Sequence, residues 1–262
     1  MRLTFLGTGT SCGVPTIGCT CRTCSSTDAR DKRLRCSALV ETQTTRLLID
    51  IGPDFRQQIM PHAFRRIDGI LITHAHYDHM GGMDDVRPYC QFGEINVYAD
   101  PIARQGMLQM LPYCFAEHRY PGVPAIQLHE IQPHHTLQIG DLTVTPFQVM
   151  HHNLPILGYR ISQPAQGTEP AHTLVYITDM KSIHDSERTY AAGADVLVVN
   201  ALRIEPHHSH QTLAEAVAFA NSVGAPHTWL IHASHDIGLH QEVNDSLPSN
   251  IQLACDGQVV DI

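Results

Sequence analysis

The stretch GILITHAHYDHMGG, residues 69–82, joins an apolar run to a loop rich in metal-binding side chains. Its first residues predict a buried strand, because they form a short apolar run that ends in polar residues. His74 and His76 alternate onto one side of an extended segment and can bind one cation together. Asp78 and His79 follow at the end of the loop and offer a carboxylate oxygen and a further imidazole. The stretch therefore predicts part of a two-metal site that other segments must complete.

The composition agrees with metal chemistry and argues against several other functions. Of 262 residues, 19 are histidine, and 43% are hydrophobic, which excludes a disordered chain. The net charge is −9, whereas an electrostatic nucleic-acid binder is normally basic. The N-terminal residues lack the apolar segment of a secretory signal, and no apolar run is long enough to span a membrane. We therefore expect a cytoplasmic protein without a membrane partner, whose eight cysteines are thiols or metal ligands.

Strand-like and helical segments alternate along the chain and predict a single α/β domain over residues 1–262. The clearest helix is expected from Leu213 to Val223, with Thr212 and Glu215 forming a capping box at its start. Gly140 and Asp141 separate two alternating runs and predict a hairpin. Strands are expected at 3–9, 37–42, 46–52, 69–76, 95–99, 136–149, 158–162, 173–178, 195–199, 228–232 and 251–261, and a short helix at 54–60.

Candidate ligands for the rest of the two-metal site follow other strand-like runs. His151 and His152 end the run LTVTPFQVM, Asp179 ends TLVYIT, and His232 ends HTWLI. Polar residues at the carboxyl ends of strands commonly build the sites of α/β proteins, because the sheet is rigid and the loops vary freely. These residues therefore are the candidates that complete the site.

A second cluster consists of Cys19, Cys21 and Cys24, three thiols within six residues. Such close spacing suits a metal knuckle, and a tetrahedral zinc site needs a fourth ligand. His235, three residues after His232, is the best candidate. The sequence thus predicts a structural zinc bound by three cysteines and one histidine near residues 19–24.

The first cluster and its strand-end candidates resemble the seven-residue dinuclear site of the metallo-β-lactamase superfamily. The matching residues are His74, His76, Asp78, His79, His152, Asp179 and His232. The resemblance implies an αββα sandwich over essentially the whole chain. It also implies that His74, His76 and His152 bind one metal, that Asp78, His79 and His232 bind the other, and that Asp179 bridges the two. His152 is preferred to His151 because HNLPILGY is similar to the family's spacing between the histidine and a Gly-Tyr pair.

Within this superfamily, the cysteine knuckle and the segments GTGTSCGVPTIGC and RLRCSALVE resemble the PhnP family of phosphodiesterases, which belong to phosphonate metabolism. The resemblance implies a metal-dependent hydrolase of small cyclic phosphodiesters such as 5-phosphoribosyl 1,2-cyclic phosphate. The implied cofactors are two divalent ions, Zn²⁺ or Mn²⁺, in the active site and one structural Zn²⁺. A homodimer is also implied.

The same resemblance implies a general acid at the entrance of the helix that begins near residue 213. His207, His208 and His210 are candidates, and His210 matches best because HQTLAEA has the helix-entry spacing. Asp78, besides binding metal, would orient the nucleophile. Two other functions stay open: a ribonuclease Z-like tRNA 3′ endonuclease, which the net charge of −9 disfavours, and a metal-binding protein without catalysis.

Overall fold

Two β-sheets of seven strands each pack face to face in a computed structural model that describes residues 1–118, 120–165, 167 and 170–262. The first sheet has the strand order β14-β1-β2-β3-β4-β5-β6. Its strands are β1 (Arg2–Gly7), β2 (Ser37–Glu41), β3 (Arg46–Ile49), β4 (Gly69–Leu71), β5 (Ile95–Ala99), β6 (Ile126–Glu130) and β14 (Val259–Asp261). From β3 to β6 neighbouring strands run parallel, and the others pair antiparallel.

The second sheet has the order β13-β12-β11-β10-β9-β8-β7. Its strands are β7 (Leu137–Ile139), β8 (Leu142–His151), β9 (Leu154–Gln163), β10 (His172–Tyr176), β11 (Val196–Asn200), β12 (His227–Ile231) and β13 (Ile251–Leu253). Strands β10 to β13 are parallel, like β3 to β6 in the first sheet. The carboxyl ends of parallel strands share one edge of a sheet, so each sheet offers an edge on which a site can be built.

Helices cover the outer faces of both sheets. They are α1 (Phe55–Ile59), α2 (Tyr77–Met80), α3 (Pro101–Met110), α4 (Asp185–Arg188), α5 (Leu213–Val223) and α6 (His240–Ser246), with 3-10 helices at Ala29–Asp31, Met83–Phe92, Pro112–Cys114 and His235–Ile237. One apolar cluster lies between the sheets, a second lies under α1 and α3, and a third lies under α5 and α6. This layering is the αββα sandwich that the family resemblance implies. In the described part of the chain, no helix combines the length and the apolar character needed to cross a bilayer.

Most local predictions are confirmed, with corrections at strand ends. Helix α5 has the predicted bounds and a complete capping box between Thr212 and Glu215, and it ends at Gly224 in the left-handed conformation. The predicted hairpin is present, with Ile139 paired to Leu142 around Gly140. Strand β4 ends at Leu71 rather than at residue 76, and the expected strand 251–261 is two strands, β13 and β14, in different sheets.

Candidate metal centre

The histidine-rich loop leaves β4 and turns immediately into the single-turn helix α2. His74 lies before the turn, His76 occupies the N-cap position of α2, and Asp78 and His79 lie inside it. His74, Asp78 and His79 are buried, whereas His76 is exposed. Because the chain changes from extended to helical after His76, the four side chains can face one region from two directions.

Asp179, which follows β10, lies at the centre of the cluster. Its Oδ1 lies 3.3 Å from the Nε2 atom of His79, and its Oδ2 lies 3.2 Å from the Nε2 atom of His232. The Nε2 atom of His74 lies 3.9 Å from Oδ2 on another side. The Asp78 carboxylate lies 3.2 Å from His79 Nε2 and 3.7 Å from His232 Nε2. Three groups of ligand-type atoms therefore share Asp179: one with Asp78, His79 and His232, one with His74 and His76, and one with His151 and His210.

Several nitrogen atoms of this cluster are buried but have no hydrogen-bond partner among the described residues. They are Nε2 of His79 and both ring nitrogens of His232. An unpaired buried polar group is costly, so native structures rarely contain one without a reason. Of these atoms, Nε2 of His79 and Nε2 of His232 face the carboxylates of Asp78 and Asp179, and imidazole nitrogens together with carboxylate oxygens are a donor set that a divalent cation requires. The residues present therefore fit a metal centre.

The electrostatics of the cluster agree with this reading. Burial opposes ionisation of Asp179, yet His232 and His79 hold its pKa well below its usual range. Burial likewise opposes ionisation of Asp78, and His79 and His232 lower the pKa of Asp78 instead. Burial also opposes charge on His79, but Asp179, Asp50 and Asp78 raise its pKa well above the usual value. Three carboxylates around one imidazole leave an excess of negative charge that bound cations would balance.

Asp50, which follows β3, is a member of the site that the sequence analysis did not single out. It is fully buried, and its Oδ2 lies 2.7 Å from Nδ1 of His79. The backbone N–H of Thr73 and the hydroxyl of Thr73 donate hydrogen bonds to the same carboxylate. Asp50 thus fixes the ring of His79 with Nε2 directed at Asp78 and Asp179. The available signal was its position after the buried run RLLI, the same signal that identified Asp179.

The backbone at this edge adopts an unusual conformation. Asp50, His152, Asp179 and His232 have φ angles of 57°, 55°, 54° and 57°, in the left-handed region that non-glycine residues seldom occupy. Each follows a strand, so the chain turns sharply where the strand ends. Such strain is concentrated at functional sites, where the surrounding structure imposes it.

The structure corrects the choice between His151 and His152. His151 is the last residue of β8 and is buried, with ring centroids 5.7 Å from His74 and 5.1 Å from His76. Its Nδ1 atom lies 2.8 and 2.9 Å from the carbonyl oxygens of Asp179 and Ser209. Donation of Nδ1–H to those carbonyls leaves Nε2 as the ligand atom.

The preference for His152 is therefore wrong, and the reason lies in the backbone. His152 turns away from the strand at its positive φ angle, and its exposed ring packs against His208 with a centroid distance of 5.7 Å. The period of two along β8 favours His151 instead, because His151 shares a face with the buried residues Val149 and Phe147.

Of the three candidate acids, His210 lies inside the site. Its Nε2 atom lies 3.0 Å from Oδ2 of Asp179, and its ring stacks on His232 at 4.9 Å. His207 contacts it from behind, with 3.2 Å between the two Nδ1 atoms, and His208 is exposed. Burial lowers the pKa of His210 to about 4, while the hydrogen bond with Asp179 acts in the opposite direction. The geometry thus separates His210 from the other two histidines.

The structure also brings together Cys19, Cys21, Cys24 and His235. The Nδ1 atom of His235 lies 3.3 Å from Sγ of Cys19 and 3.2 Å from Sγ of Cys21. Backbone N–H groups also donate to the sulfur atoms, as the N–H of Cys24 does to Sγ of Cys21. This backbone hydrogen bond, together with the side-chain hydrogen bond to His235, lowers the pKa of Cys21 to about 6. Three sulfurs and one imidazole nitrogen form the donor set of a closed tetrahedral zinc site.

Several known proteins are similar to this chain in sequence or in architecture. A family model described as "Beta-lactamase superfamily domain" matches residues 45–233. A crystal structure described as a diphosphatase from the PhnP family superposes with a TM-score of 0.89 at 36% identity, covering 100% of this chain and 97% of that one. A relative from Porphyromonas gingivalis named octanoyltransferase is 42% identical over 98% of this chain, which spans only 51% of that relative. A ribonuclease Z from Bradyrhizobium diazoefficiens is 26% identical over 85% of this chain and 86% of its own length.

The chain belongs to the metallo-β-lactamase superfamily. Within that superfamily it resembles the PhnP family, as the knuckle and the N-terminal segments predict.

Proposed function

We propose that the protein is a dinuclear metal-dependent phosphodiesterase. The observation that carries the proposal is the convergence of Asp78 and Asp179 with the unbonded ring nitrogens of His79 and His232. Such an open set of imidazole and carboxylate ligands is typical of hydrolytic metal centres, whereas storage sites are closed by thiolates.

The proposed ligand sets follow from which side of Asp179 each residue occupies. His74, His76 and His151 would hold one ion, and Asp78, His79 and His232 would hold the other, with Asp179 between them. The two ions, Zn²⁺ or Mn²⁺, would polarise the substrate's phosphoryl oxygens and lower the pKa of an attacking water. A third ion, Zn²⁺, is proposed for Cys19, Cys21, Cys24 and His235.

The chain's own residues would supply orientation and a proton. Asp78, whose carboxylate lies 3.2 Å from His79 Nε2 and 3.7 Å from His232 Nε2, would accept a hydrogen bond from the attacking water and orient it. His210 lies across Asp179 from His79 and is positioned to protonate the departing oxygen. A bound phosphodiester brings negative charge beside His210, which favours its protonated form.

The proposed substrate is a small cyclic phosphodiester such as 5-phosphoribosyl 1,2-cyclic phosphate, an intermediate of phosphonate metabolism. Its support is the 36% identity over almost the full length of a PhnP-family diphosphatase. The net charge of −9 counts against a tRNA substrate, because binding of RNA phosphates needs a basic surface.

The test is turnover of 5-phosphoribosyl 1,2-cyclic phosphate and of bis(p-nitrophenyl) phosphate, with metals counted on the same sample. We expect hydrolysis of both and about three metal ions per chain. Full metal loading without cleavage of either diester would contradict the proposal and favour a metal-binding protein or a different hydrolase.

A second candidate is hydrolysis of an acyl ester or thioester, and it rests on the octanoyltransferase from P. gingivalis. This chain matches 51% of that protein at 42% identity, so a relative of this domain forms part of a protein named for acyl transfer. A dinuclear centre polarises carbonyl oxygens as well as phosphoryl oxygens. Cleavage of an octanoyl thioester at a kcat/KM above that for the cyclic diester would favour this candidate.

Asp50→Asn is expected to weaken metal binding without displacing a ligand. The amide would retain the shape of the carboxylate but lose the negative charge that orients His79, so metal affinity should fall about 10–100-fold. Titration of the metal-stripped protein with Zn²⁺ measures this change. Asp185→Asn, in exposed α4, serves as the control and should bind metal like the wild type. An unchanged affinity in Asp50→Asn would contradict the orienting role.

Cys21→Ser is expected to remove one zinc ion and to destabilise the protein. The knuckle connects the N-terminal loop to His235, so its loss should cost about 4 kcal/mol, or roughly 8 °C or more in Tm. Zinc content and thermal unfolding measure both effects, and Cys12→Ser, at an exposed thiol outside the cluster, is the control. If the variant retains the wild-type zinc content and Tm, the knuckle holds no structural ion.

A further inference from the structure

A buried amide side chain binds the backbone of the loop that carries Asp179. Asn200 is the last residue of β11 and is fully buried. Its Oδ1 atom accepts a hydrogen bond from the backbone N–H of Met180 at 2.7 Å, and its Nδ2 atom donates to the backbone carbonyl of Met180 at 3.0 Å. Met180 directly follows Asp179. The amide therefore fixes the chain next to the carboxylate that all three groups of ligand-type atoms share.

The amide of Asn200 continues a pairing that the backbones of β10 and β11 no longer make. Just after β10, the N–H of Ile177 donates to the carbonyl of Val198 at 2.9 Å. The chain then turns at Asp179, whose φ angle is 54°. A side-chain amide offers the same donor and acceptor as a peptide group, so it can pair with Met180 where a strand residue otherwise would. This pairing helps to keep Asp179 in a conformation that is unfavourable for a non-glycine residue.

The carbonyl oxygen of Met180 also connects Asp179 to the segment that carries His210. The backbone N–H of Gln211 donates to this oxygen at 3.1 Å, in addition to Nδ2 of Asn200. A carbonyl oxygen has two lone pairs and can accept both hydrogen bonds. Gln211 directly follows His210, whose Nε2 atom lies 3.0 Å from Oδ2 of Asp179. The loop after β10, the end of β11 and the entrance of α5 thus meet at one carbonyl group.

The other side of the same loop is attached to β8. The backbone N–H groups of Lys181 and Ser182 donate to the carbonyl of Met150 at 2.7 and 3.2 Å, and the N–H of Met150 donates to the carbonyl of Ser182 at 2.8 Å. Met150 directly precedes His151 at the end of β8. The loop is therefore fixed on two sides, and Asn200 makes the attachment on the side of β11.

We propose that Asn200 is a positioning residue that holds the carboxylate of Asp179 in place relative to the metal ligands and to His210. The inference rests on the metal-dependent function proposed above and adds a residue to its machinery. Without the amide, the N–H of Met180 would be left buried without an acceptor, which is costly. Movement of the loop would relieve this cost and would displace Asp179 from the imidazoles around it.

The test compares two asparagines that bind the backbone in similar ways. Asn200→Ala removes both hydrogen bonds with Met180. Asn244→Ala is the matched control, because Nδ2 of Asn244 donates to the carbonyl of His240 at 3.1 Å and its Oδ1 accepts the N–H of Leu253 at 2.8 Å. These bonds join α6 to β13. If far-UV circular dichroism shows Asn200→Ala to be unfolded, Asn200→Ser replaces it in the same measurements.

Titration of the metal-stripped proteins with Zn²⁺ and thermal unfolding separate positioning from general support of the fold. Both variants should have a lower Tm than the wild type, since each loses buried hydrogen bonds. In Asn200→Ala, the Zn²⁺ affinity of the dinuclear centre should fall at least about tenfold, while the cysteine knuckle keeps its ion. Asn244→Ala should bind Zn²⁺ like the wild type. An unchanged affinity in Asn200→Ala, or equal losses of affinity in the two variants, would overturn the positioning role.

Nuclear magnetic resonance of the metal-free protein makes the inference independent of the proposed reaction. The imidazole ¹⁵N signals of His210 report the hydrogen bond between its Nε2 atom and Asp179. Asn200→Ala should shift these signals, and Asn244→Ala should leave them at the wild-type positions. If the wild type cleaves neither diester but Asn200→Ala shifts the signals, the positioning role stands and the proposed reaction fails. Signals that stay unshifted in Asn200→Ala would overturn the positioning role, and they alone decide if the wild type binds no ion at the centre.

Discussion

Replacing Asp179 by asparagine is expected to abolish hydrolysis and to empty the metal centre. Asp179 is the residue that all three groups of ligand-type atoms share, with oxygens 3.3 Å from His79 Nε2, 3.2 Å from His232 Nε2 and 3.0 Å from His210 Nε2. An amide of the same shape presents one neutral oxygen in place of two charged ones. Loss of the metal contribution to the transition state should lower kcat/KM by about 10⁴-fold or more.

Metal analysis distinguishes this effect from unfolding. The Asp179→Asn variant should retain about one ion per chain, at the cysteine knuckle, and should keep the far-UV circular dichroism of the wild type. The control Asp185→Asn changes an exposed carboxylate on α4 and should keep all ions and full activity. An Asp179→Asn protein that binds three ions and retains more than about a tenth of the activity would show that Asp179 does not bridge the centre.

Much of this site is predictable from the sequence because strand ends mark it. Asp179 and His232 each follow a run of apolar residues, and the structure places them together through the parallel order of β10, β11 and β12. The histidine loop after β4 provides the rest of the cluster. A short apolar run followed by a ligand-type residue therefore identifies a candidate ligand even when the strand order and the packing of the two sheets are unknown.

What the sequence analysis missed depends on local geometry. The choice of His152 relied on its distance from a Gly-Tyr pair, but a positive φ angle at residue 152 turns its side chain to solvent. Asp50 has the same strand-end signal as Asp179 and became visible only through its 2.7 Å contact with His79. Strand β6 and helix α3 were not predicted, and neither contributes a residue to the cluster.

Strand β4 shows why boundaries are harder to predict than elements. The apolar run continues to Ile72, but pairing with β5 ends at Leu71, and Thr73 is instead hydrogen-bonded to Asp50. A side chain distant in sequence thus ends the strand and begins the metal-binding loop. The backbone N–H of Thr73 can donate either to a neighbouring strand or to the buried carboxylate of Asp50, and the local strand propensity does not predict which acceptor it uses.

His210→Ala is expected to slow hydrolysis by an amount that depends on the leaving group. His210 directs Nε2 toward Asp179, and its Nδ1 atom lies 3.2 Å from His207 Nδ1 and 3.0 Å from Ser209 Oγ. For a diester that expels an alkoxide, kcat/KM should fall about 10²–10⁴-fold, because the departing oxygen needs a proton. For p-nitrophenolate, which is stable without a proton, the fall should stay below about tenfold.

The dependence on the leaving group separates an acid from a residue that only supports the site. If His210 merely held Asp179 in place, its removal would slow both substrates equally, and His210→Gln, which can still donate to Asp179, would restore both. If His210 is the acid, His210→Gln does not restore the rate on the substrate that expels an alkoxide, since an amide cannot supply the proton. His210 is buried and contacts Asp179, so it is the histidine of its segment placed to act as the acid. If both variants keep the wild-type rate on the substrate that expels an alkoxide, another group supplies the proton.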